Sequence, residues 1–97
     1  MIPVTEKDPN HFIHKLLVKK LVEYGLPEDY GGDGTLKELL DIDSLDVVEL
    51  AMNLERDLDI VIEDHQIDVF RGLSIDSITS MLVENYSTQH NVNNGKR

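Results

Sequence analysis

The sequence predicts a small all-α protein, a four-helix bundle of three main helices plus a short third one, on three observations. Apolar residues recur at helical spacing in three long stretches, each opened by a residue suited to capping. Between the first two stretches lie Pro27, Gly31, Gly32 and Gly34, a cluster that marks a connecting loop. The one run that resembles a strand is Ile60-Val61-Ile62. A lone run of three cannot build a sheet, so it is read as an apolar loop packing on the core.

Taken in order, residues 1–8 form a flexible lead-in ending on Asp8, which reads as N-cap before Pro9 at the first helical position. Ile13, Leu16, Leu17, Leu21 and Tyr24 then follow helical spacing up to Gly25, with Pro27 beyond. Thr35 and Glu38 have the spacing of a capping box for a short turn through Leu39 and Leu40. The second main helix runs from about Ser44 to Asp57. Asp64 caps a short helix with Ile67, Val69 and Phe70, stopped by Gly72; Ser74 caps the last, whose Ile75, Ile78, Leu82 and Tyr86 face inward. Leu73 and Ile78 fit a hydrophobic staple at that start. The domain is expected over residues 9–86, and the polar residues 87–97 as a disordered tail.

With 97 residues the chain makes one small domain, too small for an enzyme with a deep pocket of its own. It has no cysteine, which removes disulfides, thiolate metal sites and a cysteine nucleophile. No apolar leader and no membrane-length span is visible, so the expectation is a cytoplasmic monomer without a membrane partner. The net charge is −10, and it is concentrated: residues 23–68 hold fifteen Asp and Glu against Lys37 and Arg56, a local −13, while the first helix carries Lys15, Lys19 and Lys20. Such a face argues against nucleic acid and for basic protein partners.

The second main helix has two apolar stripes on a wheel of about 100° per residue. Val47, Leu50, Ala51, Leu54 and Leu58 suit the core, while Leu45, Val48 and Met52 fall roughly opposite, flanked by Asp46, Glu49 and Glu55. A second stripe on a surface helix either meets more core, under the Thr35–Asp43 segment, or meets partners. At the helix start Asp43 reads as N-cap with Asp46 three residues on, which places the Ser44 hydroxyl outward at the first turn. Free N–H groups and the positive end of the helix dipole favour a phosphate attached there.

The stretch Asp-Ile-Asp-Ser-Leu-Asp-Val-Val-Glu-Leu, residues 41–50, resembles the prosthetic-group site of acyl carrier proteins, an Asp-Ser-Leu triplet opening an acidic second helix. The resemblance spans roughly residues 9–86 and is strongest over 40–64. It implies that Ser44 carries 4′-phosphopantetheine, taken from coenzyme A by a phosphopantetheinyl transferase, with acyl groups held as thioesters on the arm. The domain itself is then not an enzyme. It also implies docking through Asp43, Leu45, Asp46, Val48, Glu49, Met52 and Glu55 to acyl-transferring and chain-elongating enzymes with basic patches. An acyl chain would enter among Val47, Leu50, Ala51, Leu54 and Ile62. Fatty-acid carriers commonly have Gly two residues before the triplet's Asp; Asp41 stands here. That departure keeps specialised carriers for polyketide or other dedicated acylation beside fatty-acid biosynthesis. The alternative class is an acidic interaction module with no prosthetic group.

Other candidates are weaker. Asp76-Ser77-Ile78 imitates the triplet, but Ser77 lies inside the last helix behind Ser74 and no acidic run follows; its hydroxyl is expected on a preceding carbonyl or water. Asp29, Asp33, Gly34 and Leu36 echo an EF-hand loop, yet Gly31 and Leu40 stand at positions 3 and 12, where the loop needs ligands. No metal site is expected. His11, His14, His65 and His90 are read as solvated, and no Gly-x-Ser-x-Gly elbow is present for hydrolysis.

Overall fold

The structure, a computed structural model, describes residues 8–27, 29–30 and 33–90. Among them the regular structure is helical throughout: α1 (Pro9–Glu23), α2 (Leu36–Leu39), α3 (Ser44–Leu58), α4 (Asp64–Val69), a 3-10 turn (Phe70–Gly72) and α5 (Ile75–His90). The expected lead-in before Asp8 and the stretch 91–97 of the expected tail lie outside the described residues.

Helix α1 begins where Asp8 accepts the Asn10 N–H at 3.0 Å, with Pro9 at the first position. It ends in a Schellman turn. Gly25 takes φ +111°, its N–H donates to the Val22 carbonyl at 3.0 Å, and the Leu26 N–H reaches the Leu21 carbonyl at 3.0 Å. Leu26 is thereby turned into the core. Side chains at that φ are strained, which accounts for glycine there.

The cap of α2 is the expected box, with Thr35 as N-cap and Glu38 three residues on. Glu38 accepts the Thr35 N–H at 2.8 Å, and the Thr35 side chain meets the Glu38 N–H in the reciprocal half without a close hydrogen bond. Thr35 also makes an antiparallel bridge with Ser74, and the Leu36 N–H donates to the Leu73 carbonyl at 3.0 Å. The short helix is thus tied to the entry of α5.

Leu50, Ala51 and Leu54 of α3, Ile13, Leu17 and Leu21 of α1, and Ile75, Ile78 and Leu82 of α5 meet in one core, closed at the end by Phe70. Helices α1 and α5 lie side by side, and Phe12 meets Tyr86 edge to face, ring centres 5.4 Å apart. The Ile60-Val61-Ile62 run packs as expected of a loop: Ile60 and Ile62 are buried and Val61 points out. Helix α4 starts one residue differently from expectation, since Glu63, not Asp64, is its cap, with the Gln66 carboxamide accepting the Glu63 N–H at 2.9 Å.

The clearest correction concerns the tail. Residues 87–90, expected to be disordered, continue α5. Their side chains hold the loop that follows α3. Gln89 accepts the Val61 N–H at 2.7 Å and donates to the Val61 carbonyl at 2.9 Å. His90 Nε2 lies 3.0 Å from the Leu58 carbonyl and 2.7 Å from that of Asp59, its ring stacked on Tyr86 at 4.3 Å. Asn85 adds a paired carboxamide contact with Gln66. Carbonyls at the C-terminal end of α3 have no intrahelical donor, so a polar side chain that reaches them extends the fold.

Candidate functional site

The start of α3 is built by reciprocal bonds. Asp43 Oδ1 accepts the Asp46 N–H at 2.8 Å and Asp46 Oδ2 accepts the Asp43 N–H at 3.3 Å. Two free backbone donors are satisfied, and the peptide carrying Ser44 is fixed between them. Ser44 occupies the first helical position and is exposed.

Ser44 also borders a shallow groove of about 130 Å³, whose other walls are Val47, Val48, Ile67, Asp68 and Arg71. The groove runs between α3 and the α4 and 3-10 segment. A wider concavity of about 350 Å³ lies on the outer face of α1 among Asp8, Asn10, His11, His14 and Lys15. It is an open polar surface, and no set of three or more metal-ligating groups exists among the described residues. The groove at Ser44 is the better site because an exposed hydroxyl meets apolar walls and a cation there.

The two stripes of α3 separate cleanly. Val47, Leu50, Ala51, Leu54 and Leu58 are buried. Leu45, Val48 and Met52 are 77, 42 and 58% exposed, so the Thr35–Asp43 segment does not cover them. Of the residues expected to line an acyl pocket, Leu50, Ala51, Leu54 and Ile62 sit in the packed core and Val47 borders the groove.

The acids flanking the exposed stripe have internal partners that the sequence did not reveal. Glu49 accepts the Tyr24 hydroxyl at 2.7 Å, a bond from α3 back to the end of α1. Glu55, expected on the docking rim, is half-buried and accepts the Ile62 N–H at 2.8 Å, so its carboxylate anchors the loop after α3. Asp43 and Asp46 serve as caps. A carboxylate has lone pairs beyond one such bond, so Asp43, Asp46 and Glu49 keep free acceptor capacity.

Burial, the Glu49 hydrogen bond and the charges of Glu49, Asp46 and Glu23 push the Tyr24 phenol up to about 12. A folded value above the unfolded 10.0 means the bond's contribution is complete below pH 10 and fades as pH rises toward 12. Tyr24→Phe should therefore lower the melting temperature at pH 8, and the gap to the wild type should close in a series carried to pH 11–12. A gap of constant size across that series would show that the hydroxyl contributes nothing through Glu49.

Two ion pairs occur among the described residues, Lys20–Asp57 at 2.6 Å and His14–Asp76 at 3.7 Å. The Lys20 hydrogen bond, with added charge from Lys20, Arg56 and Lys19, holds the Asp57 carboxyl below its usual range. Most acids of the 23–68 segment lack such relief, so added salt or millimolar magnesium should raise the melting temperature by several degrees, ~1 kcal/mol being worth about 4–8 °C in a domain of this size. A flat or falling series would mean that native ion pairs outweigh the repulsion.

Ser77 is exposed, and its Oγ accepts from the Ser74 hydroxyl at 3.1 Å, in place of the expected carbonyl or water. Ser74 also caps α5 through the Ser77 N–H at 3.1 Å. Ile67, Asp68, Arg71 and Tyr24 are the site residues that sequence reasoning missed. The spacing of Ile67 and Arg71, four apart, was a usable signal; the Tyr24–Glu49 bond, twenty-five residues apart, left none.

Comparison of the chain with models of known protein families, with curated proteins and with solved structures finds no match.

Proposed function

We propose that this chain is an acyl carrier protein, a four-helix carrier domain that holds acyl groups on a 4′-phosphopantetheine arm at Ser44 and presents them to enzymes of fatty-acid or related acyl-chain biosynthesis. The observation that carries the reading is the placement of Ser44: an exposed hydroxyl at the first position of α3, beside a groove and next to an exposed apolar stripe with an acidic rim.

The residues present fit the group. The Asp43–Asp46 box fixes the backbone under Ser44, so the hydroxyl stays accessible while its peptide cannot fray. Val47, Val48 and Ile67 offer apolar wall to the part of the arm nearest the protein. When attached, the group supplies a thiol on which acyl chains are held as thioesters. In the loading step the Ser44 oxygen attacks the phosphorus of coenzyme A that bears the pantetheine, a phosphodiester forms, and adenosine 3′,5′-bisphosphate leaves. A separate phosphopantetheinyl transferase takes the serine proton and supplies the metal.

The acids and the stripe divide the work of recognition. Asp43, Asp46 and Glu49 steer partners with basic patches, and Leu45, Val48 and Met52 give the contact that is desolvated on docking. Incubation with coenzyme A and a broad-specificity transferase tests the reading, with intact mass as readout. One added phosphopantetheinyl group is the expected result. A chain that gains none, yet still captures a basic partner through the Leu45–Met52 stripe, is an interaction module without a prosthetic group.

A further inference from the structure

We propose that Arg71 is the counter-charge for the phosphodiester on Ser44 and pins the base of the arm at the groove between α3 and α4. This inference rests on the carrier reading above. It concerns a residue outside the Asp-Ser-Leu motif, on a different element from the serine.

Three observations lead to it. Ser44 and Arg71 border the same groove of about 130 Å³, and Arg71 is the one cation among its lining residues. Neither ion pair among the described residues involves Arg71, so its guanidinium has no carboxylate within 4.0 Å there, including the Asp68 that shares the groove. Its backbone is fixed: Arg71 follows Phe70, which is fully buried, and the Leu73 N–H closes the 3-10 turn on the Phe70 carbonyl at 3.1 Å. The side chain is exposed on an anchored turn.

The charge at the other wall makes a cation useful. Asp41, Asp43 and Asp46 surround Ser44 in sequence, and a phosphodiester adds a further negative charge to the same few residues. The planar fork of a guanidinium meets two phosphate oxygens at once, which an ammonium does not. With the phosphate held toward Arg71, Val48 and Ile67 would be the apolar groups of the groove beside the base of the arm. The Leu45 and Met52 part of the stripe then stays open for docking.

The test compares apo and holo forms of the wild type, Arg71→Ala and Arg71→Lys, all loaded with coenzyme A and a transferase and checked by intact mass. Readouts are the phosphorus-31 resonance of the diester and the difference in melting temperature between holo and apo forms. In the wild type the resonance should be shifted from that of the free diester, and the holo form should melt higher than the apo form. Arg71→Ala should abolish both differences while its apo form melts like the wild-type apo form; Arg71→Lys should keep part of each. If holo Arg71→Ala retains the wild-type resonance and melting difference, Arg71 has no such role, although the carrier reading stands. A lower melting temperature in apo Arg71→Ala that matches the loss in the holo form would assign Arg71 to the fold and overturn the proposal. No mass gain in the wild type would overturn both.

Discussion

Ser44→Ala should abolish the gain of a phosphopantetheinyl group, and Ser77→Ala should leave it intact. Both serines follow an aspartate, precede an aliphatic residue and lie in the first turn of a helix, so the pair isolates what the environment adds. At Ser44 the preceding Asp43 caps the helix and the following Leu45 is 77% exposed. At Ser77 the cap is Ser74, the Ser77 oxygen accepts the Ser74 hydroxyl, and the following Ile78 is fully buried. Asp76 lies 3.7 Å from His14 and makes no cap. A transferase approaching Ser77 therefore meets no exposed apolar neighbour and no acidic helical face. Intact mass of the two variants decides between them. Modification that survives Ser44→Ala and disappears with Ser77→Ala would move the arm to α5 and remove the basis for the Arg71 contact.

The parts of the fold written in local chemistry were legible. Asp8 with Pro9, Gly25 as the stop of α1, Asp43 with Asp46, and Ser74 act within a turn of their own position, and the structure places all four as their spacing predicts. The two-stripe pattern of α3 was legible for the same reason, because a helix wheel needs only its own residues. What was missed depends on chain segments far apart. Nothing near Gln89 and His90 says that they extend α5, because their partners are the carbonyls of Leu58, Asp59 and Val61. Glu55 reads as rim from its position on the wheel, yet the loop after α3 turns back to present the Ile62 N–H to it. Thr35 shows both cases: its box with Glu38 was legible in their spacing, while its bridge to Ser74 depends on a distant segment. Arg71 comes to border the same groove as Ser44 only because α4 and the 3-10 turn fold back beside α3.

The two stripes of α3 can be told apart by what their loss costs. Leu54 is fully buried, so Leu54→Ala should destabilise the domain by about 2–5 kcal/mol, the range for a buried leucine truncated in a packed core. Total stabilities of such domains are about 5–15 kcal/mol, and the melting temperature should fall by roughly 10 °C or more. Val48→Ala and Met52→Ala remove atoms that are largely in water already and should cost less than ~1 kcal/mol each. Their effect should instead fall on initial rates of transferase modification. Glu49 needs a finer pair of variants, because its carboxylate, proposed to steer partners, also accepts the Tyr24 hydroxyl. Glu49→Gln keeps an acceptor for Tyr24 and removes the charge; Glu49→Lys removes both. If steering dominates, both variants should slow association, and the deficit should shrink at high salt as screening removes the wild type's advantage. If the Tyr24 bond dominates, Glu49→Gln should behave like the wild type. Chemical unfolding of Leu54→Ala, Val48→Ala and Met52→Ala, set beside those rates, reads packing and docking separately. Should Val48→Ala and Met52→Ala unfold the domain as severely as Leu54→Ala, the exposed stripe is part of the core in solution, and the docking face on α3 has to be given up.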